Sequence, residues 1–600
     1  MSTHHGTFWF DARPSAGNDS RDRGAPSATL RQNRDDVWSG GLPAEAPARS
    51  PSGLIAAWDG RLDNREELAL SLGESPRDLS DSELALRVFE RWRLQGLKAL
   101  VGEWTLAIWD RASRVLHLAR DYMGARPLYC CQCADGVHWS SDLAELVMRT
   151  GCEDSLSDAF AAQFMSVHCL PRTSPYEGIH PIPAGTCASF HADGSVTNRR
   201  FWTLEAGAIR YADRRTYEEQ LRALWREAVG ARLRTAETPW AELSGGLDSS
   251  SVACMADWLI RNAGVPARGL RLVSHATLNS PEGDERRFIA EVERQVGVTS
   301  EIVGVEESQL RTDLALAWVT PYALQGTGLE TAARIRAAGG HVVLSGRLGD
   351  AVMGCQPDNS VAVFDEIARG ELWTALRSIR RWSRATRKPF LEIARKLFSA
   401  DVERTADTGL ELLTPRLRAM AVDRAREPIL GVKRSKRALA RMVLGYANGG
   451  RLDIPYRPPD LVYAYPFAHR PLVEFMLAIP GEELSAPGVT RSLMRRAFAG
   501  FVPDRILRRQ SKGYYPPAAF RAARAAIAQS LPVNELEVVQ RGWIDPERLQ
   551  QAIRTLTDGS GTTGGDIHCV LRLESWLTAR RIHFANPQRK EVNHHAVLQA

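Results

Sequence analysis

The chain of 600 residues lacks any run approaching the ~18–20 uninterrupted apolar residues that a membrane-spanning helix needs. Its first residues, MSTHHGTFWFDARPSAG, lack the basic stretch followed by an apolar one that marks a secretory signal. Cysteine is sparse: nine are scattered along the chain, an odd number that excludes a fully paired disulfide framework and points to a reducing cytoplasm. Cys130, Cys131 and Cys133 contain a C-x-x-C spacing, but no second such pair and no close His pair would complete four zinc ligands. They read instead as small hydrophobes in a strand-like run. Charge of one sign is in slight excess only, 77 Lys and Arg against 71 Asp and Glu, and the net +6 is too mild to indicate dedicated nucleic-acid binding. With 44% hydrophobic and 25% charged residues, the composition is that of an ordinary soluble globular protein. The length is too great for one core and predicts two or three domains.

Two textures follow one another along the chain. Residues 1–50 are rich in Gly, Pro, Ser, Asp and Arg, with little periodicity beyond THHGTFWF. From residue 53, GLIAAWDGRL, WTLAIWD and VLHLARD read as strands, and PLYCCQ with GVHWSSD reads as a hairpin closed by Ala134–Gly136. SDSELALRVFERWRLQGLKALV has apolar residues at helical spacing, with Ser80 or Asp81 as cap, and DLAELVMRT is a second helix. This predicts an α+β domain ending near Trp202. After residue 215 strands and helices alternate: PWAEL, SVACMADWLIRNAG, GLRLVSHATL, ERRFIAEVERQVG and GHVVLSG. Such alternation predicts a parallel, doubly wound α/β sheet. The region of about 364–450 reads as helical and basic, followed by the helical RPLVEFMLAIP and RSLMRRAFAGF. The expected division is 1–205 and 206–600, with a frayed tail after about residue 580.

The stretch AELSGGLDSSSVA, 241–253, is a glycine-rich turn between a strand and a helix, without the Lys of the commonest phosphate loop. It supplies S-G-G-x-D-S: Ser244, Gly245, Gly246, Asp248 and Ser249. Backbone N–H groups at a helix start bind polyphosphate, the glycines permit its close approach, and the serine hydroxyls can donate to it. Asp248 would repel phosphate unless a divalent cation lay between them, which implies Mg²⁺. LSGRLGDAVMG, 344–354, places Asp350 in a second turn after the strand HVVL. Carboxyl ends of neighbouring parallel strands face one crevice, so Asp248 and Asp350 are expected to meet there and hold the metal jointly. The bland alternative for the first turn is a Gly-Gly corner with a Ser cap.

With both turns in hand, the chain resembles the asparagine-synthetase-like amide-forming enzymes. The amino-terminal half is similar to a class II glutamine amidotransferase domain, of Ntn type, in WDGRLDN (58–64), ARDYMGARPLY (119–129), HWSSDLAEL (138–146) and PIPAGTCASF (181–190). The carboxyl half adds SGGLDSS, SGRLGD, YPFAHRPLVEF (465–475), RSLMRRAF (491–498) and RRQSKGYYPP (508–517) to an ATP-pyrophosphatase domain. The resemblance implies cleavage of ATP between its α and β phosphates, transfer of AMP to a carboxylate, and displacement of AMP by nitrogen. Three departures bear on which nitrogen. Glutaminase relatives expose an amino-terminal Cys, where this chain has Ser2, and their Asn-Gly is Asp59-Gly60 here, so glutaminase activity is not expected. Arg347 stands where relatives have a Glu, or a Tyr of a base dyad, and Arg does not accept a proton.

That combination most resembles the lasso peptide cyclases, which activate an Asp or Glu side chain of a core peptide and close a macrolactam with its amino terminus. The resemblance implies ATP and Mg²⁺ as cofactors, the core peptide freed of its leader as substrate, and the leader-processing protease as partner. It gives Lys512 the role of stabilising charge on the acyl-adenylate. Leu243 and Ser274 would contact adenine through their backbones, and Gly346 would line the nucleotide pocket. Asp284 and Glu285 resemble an acidic pair of the family, with helix capping as the plain alternative. His469 stands where relatives have Asp. Ammonia-dependent asparagine synthesis, β-lactam-type cyclisation and an inactive scaffold for the precursor remain as alternatives.

Overall fold

A computed structural model describes residues 3–9, 36–40, 47–166, 173–205, 207–277, 283–305, 318–321, 327–398, 410–422, 431–448, 461–510, 532–557 and 564–585. The strands, in chain order, are β1 (Thr3–Trp9), β2 (Asp36–Gly40), β3 (Ala48–Arg49), β4 (Leu54–Leu62), β5 (Gly102–Asp110) and β6 (Val115–Arg120). They continue with β7 (Tyr129–Gln132), β8 (Gly136–Ser140), β9 (Ile179–Pro181), β10 (Thr186–His191) and β11 (Val196–Arg200). The first eleven form two antiparallel sheets of order β2-β1-β8-β7-β9 and β11-β10-β6-β5-β4-β3. Their inner faces meet: Phe8, Cys130 and Trp139 of one sheet share a core with Ala57, Trp109 and Leu118 of the other. The helices Arg65–Leu72 and Asp81–Gly96 cover the outer face of the second sheet through Leu68, Leu84, Val88 and Phe89. Ser80 caps the longer of these in a reciprocal capping box with Glu83. This α+β sandwich is the amidotransferase-type fold that the amino-terminal motifs imply.

The remaining strands, β12 (Trp240–Glu242), β13 (Arg271–Ala276), β14 (Glu301–Gly304), β15 (Val342–Leu344) and β16 (Val462–Ala464), form one parallel sheet of order β14-β13-β12-β15-β16. The order reverses at β12: the chain steps outward through β13 and β14, then returns to the other side as β15 and β16. That switch point opens a crevice at the carboxyl ends of β12 and β15, where ligands bind in open α/β sheets. The helices Arg214–Arg232, Leu247–Asn262 and Arg286–Val296 pack on this sheet through Leu221, Trp225, Val252, Leu259, Ile289 and Val292.

Two findings lie beyond the sequence reading. Strands β2 and β3 also come from the first 50 residues, where only THHGTFWF, the stretch of β1, stood out as regular. The last helices, Pro546–Thr557 and Gly564–Ala585, return to the amidotransferase-type half. Trp543 and Trp576 share a core with Phe160, Phe164 and Tyr176, and Trp543 Nε1 donates to Asp158 at 2.6 Å. Cys130 and Cys131 are buried in β7, and among the described residues no group of three or more His, Cys, Asp and Glu is placed to hold a metal ion.

Candidate active site

Strand β12 ends at Glu242, and the chain turns through Leu243, Ser244, Gly245 and Gly246 into the helix Leu247–Asn262. The turn is tied to the sheet by Leu243 N–H, which donates to the Val273 carbonyl of β13 at 2.8 Å. Gly245 has φ +68°, and a Cβ there would lie 2.7 Å from the Phe288 Cβ, so the position requires glycine twice over. Ser249 Oγ accepts from Ser244 N–H at 3.1 Å and lies 3.0 Å from Ser244 Oγ, closing the loop around its own backbone. The first helical turn thus presents its N–H groups at the crevice, beside the exposed Ser244.

The second turn leaves β15 and enters the short helix Gly349–Val352, whose first turn carries Asp350. The two turns are pressed together. A Cβ at Gly346 would lie 2.9 Å from Ser249 N, and one at Gly349 would lie 2.4 Å from Asp248 Cγ. Leu348, between them, is left-handed at φ +71°, a strained conformation for leucine that costs roughly 1–2 kcal/mol. These close approaches bring Asp248 and Asp350 to one point. Arg491 Nη2 lies 3.0 Å from Asp248 Oδ2 and also pairs with Asp350. Arg491 is itself left-handed, φ +54°, where the chain enters the helix Ser492–Ala497. A cationic group therefore already sits between the two carboxylates. Asp248 Oδ1 is buried beside it with no hydrogen-bond partner. Two hard carboxylates and an unused buried oxygen fit a divalent cation of the Mg²⁺ class, which takes one or two carboxylates and completes its shell with water and phosphate.

Arg509 closes the other side of the loop. Its Nη1 donates to the Gly245 carbonyl at 2.9 Å, its guanidinium pairs with buried Glu285, and its charge lies 4.0 Å from the Phe288 ring centroid. Glu285 thus serves as a buried counter-ion for Arg509 and makes no side-chain cap to its helix. Asp284 is the more ordinary member of the acidic pair and grips Arg286 at 2.8 Å. Burial and the neighbouring Arg491 hold Arg495 below the usual guanidinium range, with Asp248 offsetting part of this.

Lys512 lies outside the described residues. Leu243 follows the end of β12 and Ser274 lies within the neighbouring β13, buried with its Oγ unpartnered. Gly346 packs on the backbone of Ser249 at the helix start. Arg347 is exposed at the rim, its N–H donating to Ser345 Oγ at 3.4 Å. Sequence reading assigned no role to Arg491 or Arg509. The signal available was their presence in two quoted motifs, RSLMRRAF and RRQSKGYYPP.

The departures in the amino-terminal half also find a setting. Asp59 is buried, with Arg126 Nη1 at 3.9 Å, and Gly60, at φ +146°, has the Glu103 carbonyl 2.2 Å from where a Cβ would stand. Beyond them a cluster of charges fills the contact between the two halves. Arg232 reaches Asp63 at 2.6 Å and Glu103 at 3.0 Å, and Arg61 reaches Glu103 at 2.9 Å. His469 Nδ1 lies 2.9 Å from Asp63 and its Nε2 3.3 Å from Glu227. Burial works against the Asp63 carboxylate, but Arg232 and then His469 outweigh it and hold the group well below the usual range. Burial likewise disfavours a charged His469, while its hydrogen bonds to Asp63 and Glu227 prevail and raise it. That pairing accounts for His469: an acid there would face Asp63.

Comparison with known proteins agrees with this architecture. The asparagine synthase family model matches residues 220–578, and a glutamine amidotransferase domain model matches residues 49–202. A carboxyethyl-arginine β-lactam-synthase of Streptomyces clavuligerus is 31% identical over 253 residues, covering 42% of this chain and 45% of that protein. A putative glutamine-hydrolysing asparagine synthetase of Mycobacterium bovis is 26% identical over 221 residues, 35% of this chain and 34% of its own. The matched part thus spans less than half the length of either relative. Asparagine synthetase 3 of Bacillus subtilis, also named as glutamine-hydrolysing, aligns over 533 residues at 23% identity, covering 83% of this chain and 81% of its own.

Proposed function

Because the chain belongs to the asparagine synthase family, we propose that it is an ATP-dependent, AMP-forming amide ligase acting on a substrate that brings its own amine. The finer reading is a lasso peptide cyclase, joining an Asp or Glu side chain of a core peptide to its amino terminus. The observation that carries the adenylating chemistry is the meeting of Asp248 and Asp350 at the mouth of the S-G-G loop.

A substrate carboxylate oxygen attacks the α-phosphorus of ATP, the α–β bridging bond breaks, and pyrophosphate leaves. The helix-start N–H groups, Ser244 and Ser249 receive the pyrophosphate. Asp248 and Asp350 would hold Mg²⁺, which when bound neutralises the polyphosphate. Lys512 is assigned the charge on the acyl-adenylate. The amine nitrogen then attacks the acyl carbon, AMP departs with the bonding pair, and the nitrogen loses a proton to solvent. Arg347 stays protonated and takes no part in that loss. An α-amine, with a pKa of about 7.7–8, is partly neutral near pH 7 and attacks without a strong base. The lack of Asn-Gly at Asp59-Gly60 supports an amine from the substrate over ammonia from glutamine. We place the reaction in the cytoplasm, after a leader-processing protease has freed the peptide's amine.

The test is incubation with ATP, Mg²⁺ and a linear peptide bearing an amino-terminal Gly and an internal Asp or Glu. AMP, pyrophosphate and a product lighter by one water are expected. Formation of AMP and asparagine from aspartate and ammonia, with no reaction of the peptide, would overturn the reading. A second reading, β-lactam-type cyclisation of a small molecule, is favoured by the 31% identity to the β-lactam-synthase. Turnover of carboxyethyl-arginine in place of peptide would select it. No AMP from any of the three would leave a precursor scaffold.

A further inference from the structure

The helix Leu372–Thr386, LWTALRSIRRWSRAT, stands on its own small core. Ala375, Ile379 and Trp382 are buried against Ile393 and Leu397 of the helix Phe390–Phe398. That inner face explains why the helix forms and leaves the outer face free of any packing duty. The outer face has two parts. Over its first two turns Leu372, Trp373 and Leu376 are 60%, 78% and 39% exposed. Further along, Arg377, Arg380 and Arg384 continue the same stripe, all exposed. The helix carries no carboxylate at all.

Arginines spaced three and four apart on one helix repel one another, and solvated helical faces usually intersperse Glu to relieve this. Here the nearby acids are engaged elsewhere. Glu371 pairs with Arg369 at 2.8 Å and Arg210 at 3.3 Å, and Asp358 pairs with Lys396 at 2.8 Å. Among the described residues none of the three arginines has a carboxylate partner. An exposed Trp between two leucines, continued by unpaired positive charge, is complementary to one kind of surface.

We propose that this face docks an acidic polypeptide segment with an aliphatic or aromatic anchor, the anchor covering Trp373 and its carboxylates lying along Arg377, Arg380 and Arg384. A nucleic acid would satisfy the arginines but would set sugar and phosphate against Leu372 and Leu376. One aromatic side chain is also too few for a stacking track. A polypeptide satisfies both halves of the stripe. The inference stands whichever carboxylate the enzyme adenylates.

The test uses the full chain and a fluorescein-labelled peptide of about 15 residues, matching the ~22 Å helix, built from Glu with Leu and Phe at helical spacing. Its Gln-for-Glu counterpart and an oligouridine of equal length serve as the other arms, all read by fluorescence anisotropy. The acidic peptide binds, the Gln peptide does not, and added salt weakens the complex. Trp373→Ala, and separately the pair Arg380→Glu with Arg384→Glu, each weaken it at least about tenfold, as expected of a central anchor and its charge partners. These side chains are exposed, so the melting temperature of each variant stays unchanged and reports an intact fold. No binding of the acidic peptide, equal binding by the variants, or tighter binding of the RNA lost in the same variants would each overturn the proposal.

Discussion

Replacing Asp248 by Ala removes one of two carboxylates that face a shared cation, and AMP formation should fall about 10²–10³-fold. Asp350→Ala should fall similarly but unfold no earlier, because its carboxylate is half exposed where that of Asp248 is buried. A variant as active as the unmodified protein at saturating Mg²⁺ would refute the shared role. Both aspartates were legible in sequence because S-G-G-x-D-S and S-G-R-L-G-D each follow a strand. Arg491 was not, since it lies 243 positions from Asp248 and reaches it only through folding. A second residue-scale consequence lies away from the site. Burial pushes the Lys436 amine down to about 7, with Asp365 and Glu482 opposing, and its Nζ donates to the Met476 carbonyl at 3.0 Å. Between about 7 and the ordinary 10.5, the unfolded chain holds a proton that the folded chain does not, so this group makes stability rise with pH across that window. Lys436→Met should remove that rise, read as the urea midpoint against pH; an unchanged slope would contradict it.

At the scale of elements, the turn after β15 is the most constrained piece. Gly349→Ala would put a methyl 2.4 Å from Asp248 Cγ and force the two turns apart. AMP formation should drop at least about tenfold with circular dichroism unchanged, and a variant of full activity would show that the turns are not coupled. Longer elements were readable from local chemistry. The helix Asp81–Gly96 begins at Ser80 with the S-x-x-E box visible in SDSE, and the helix Leu143–Thr150 begins at Asp142, whose side chain accepts from Ala144 N–H. Strands β14 and β16 were not readable, because four and three residues are too few to show a period. They are strands because β13 and β15 offer them free edges.

Across the whole molecule, the two halves are joined by the buried charges around Arg232 and by carboxyl-terminal helices that complete the amidotransferase-type core. The sequence reading singled out no helix over 546–585, and nothing local in that stretch says which half it covers. Asp63→Ala strands Arg232 and His469 without their nearest carboxylate, at a cost of about 3–5 kcal/mol. A clear fall in melting temperature is expected, and an unchanged one would mean that the contact is not a structural tie. The central claim is that the loop at Ser244–Ser249 directs attack to the α-phosphorus. It is tested most directly with ATP labelled at that phosphorus and a linear peptide bearing a free amine and an internal carboxylate. Label recovered as AMP, in step with loss of one water from the peptide, is the expected result; label recovered as ADP would contradict it.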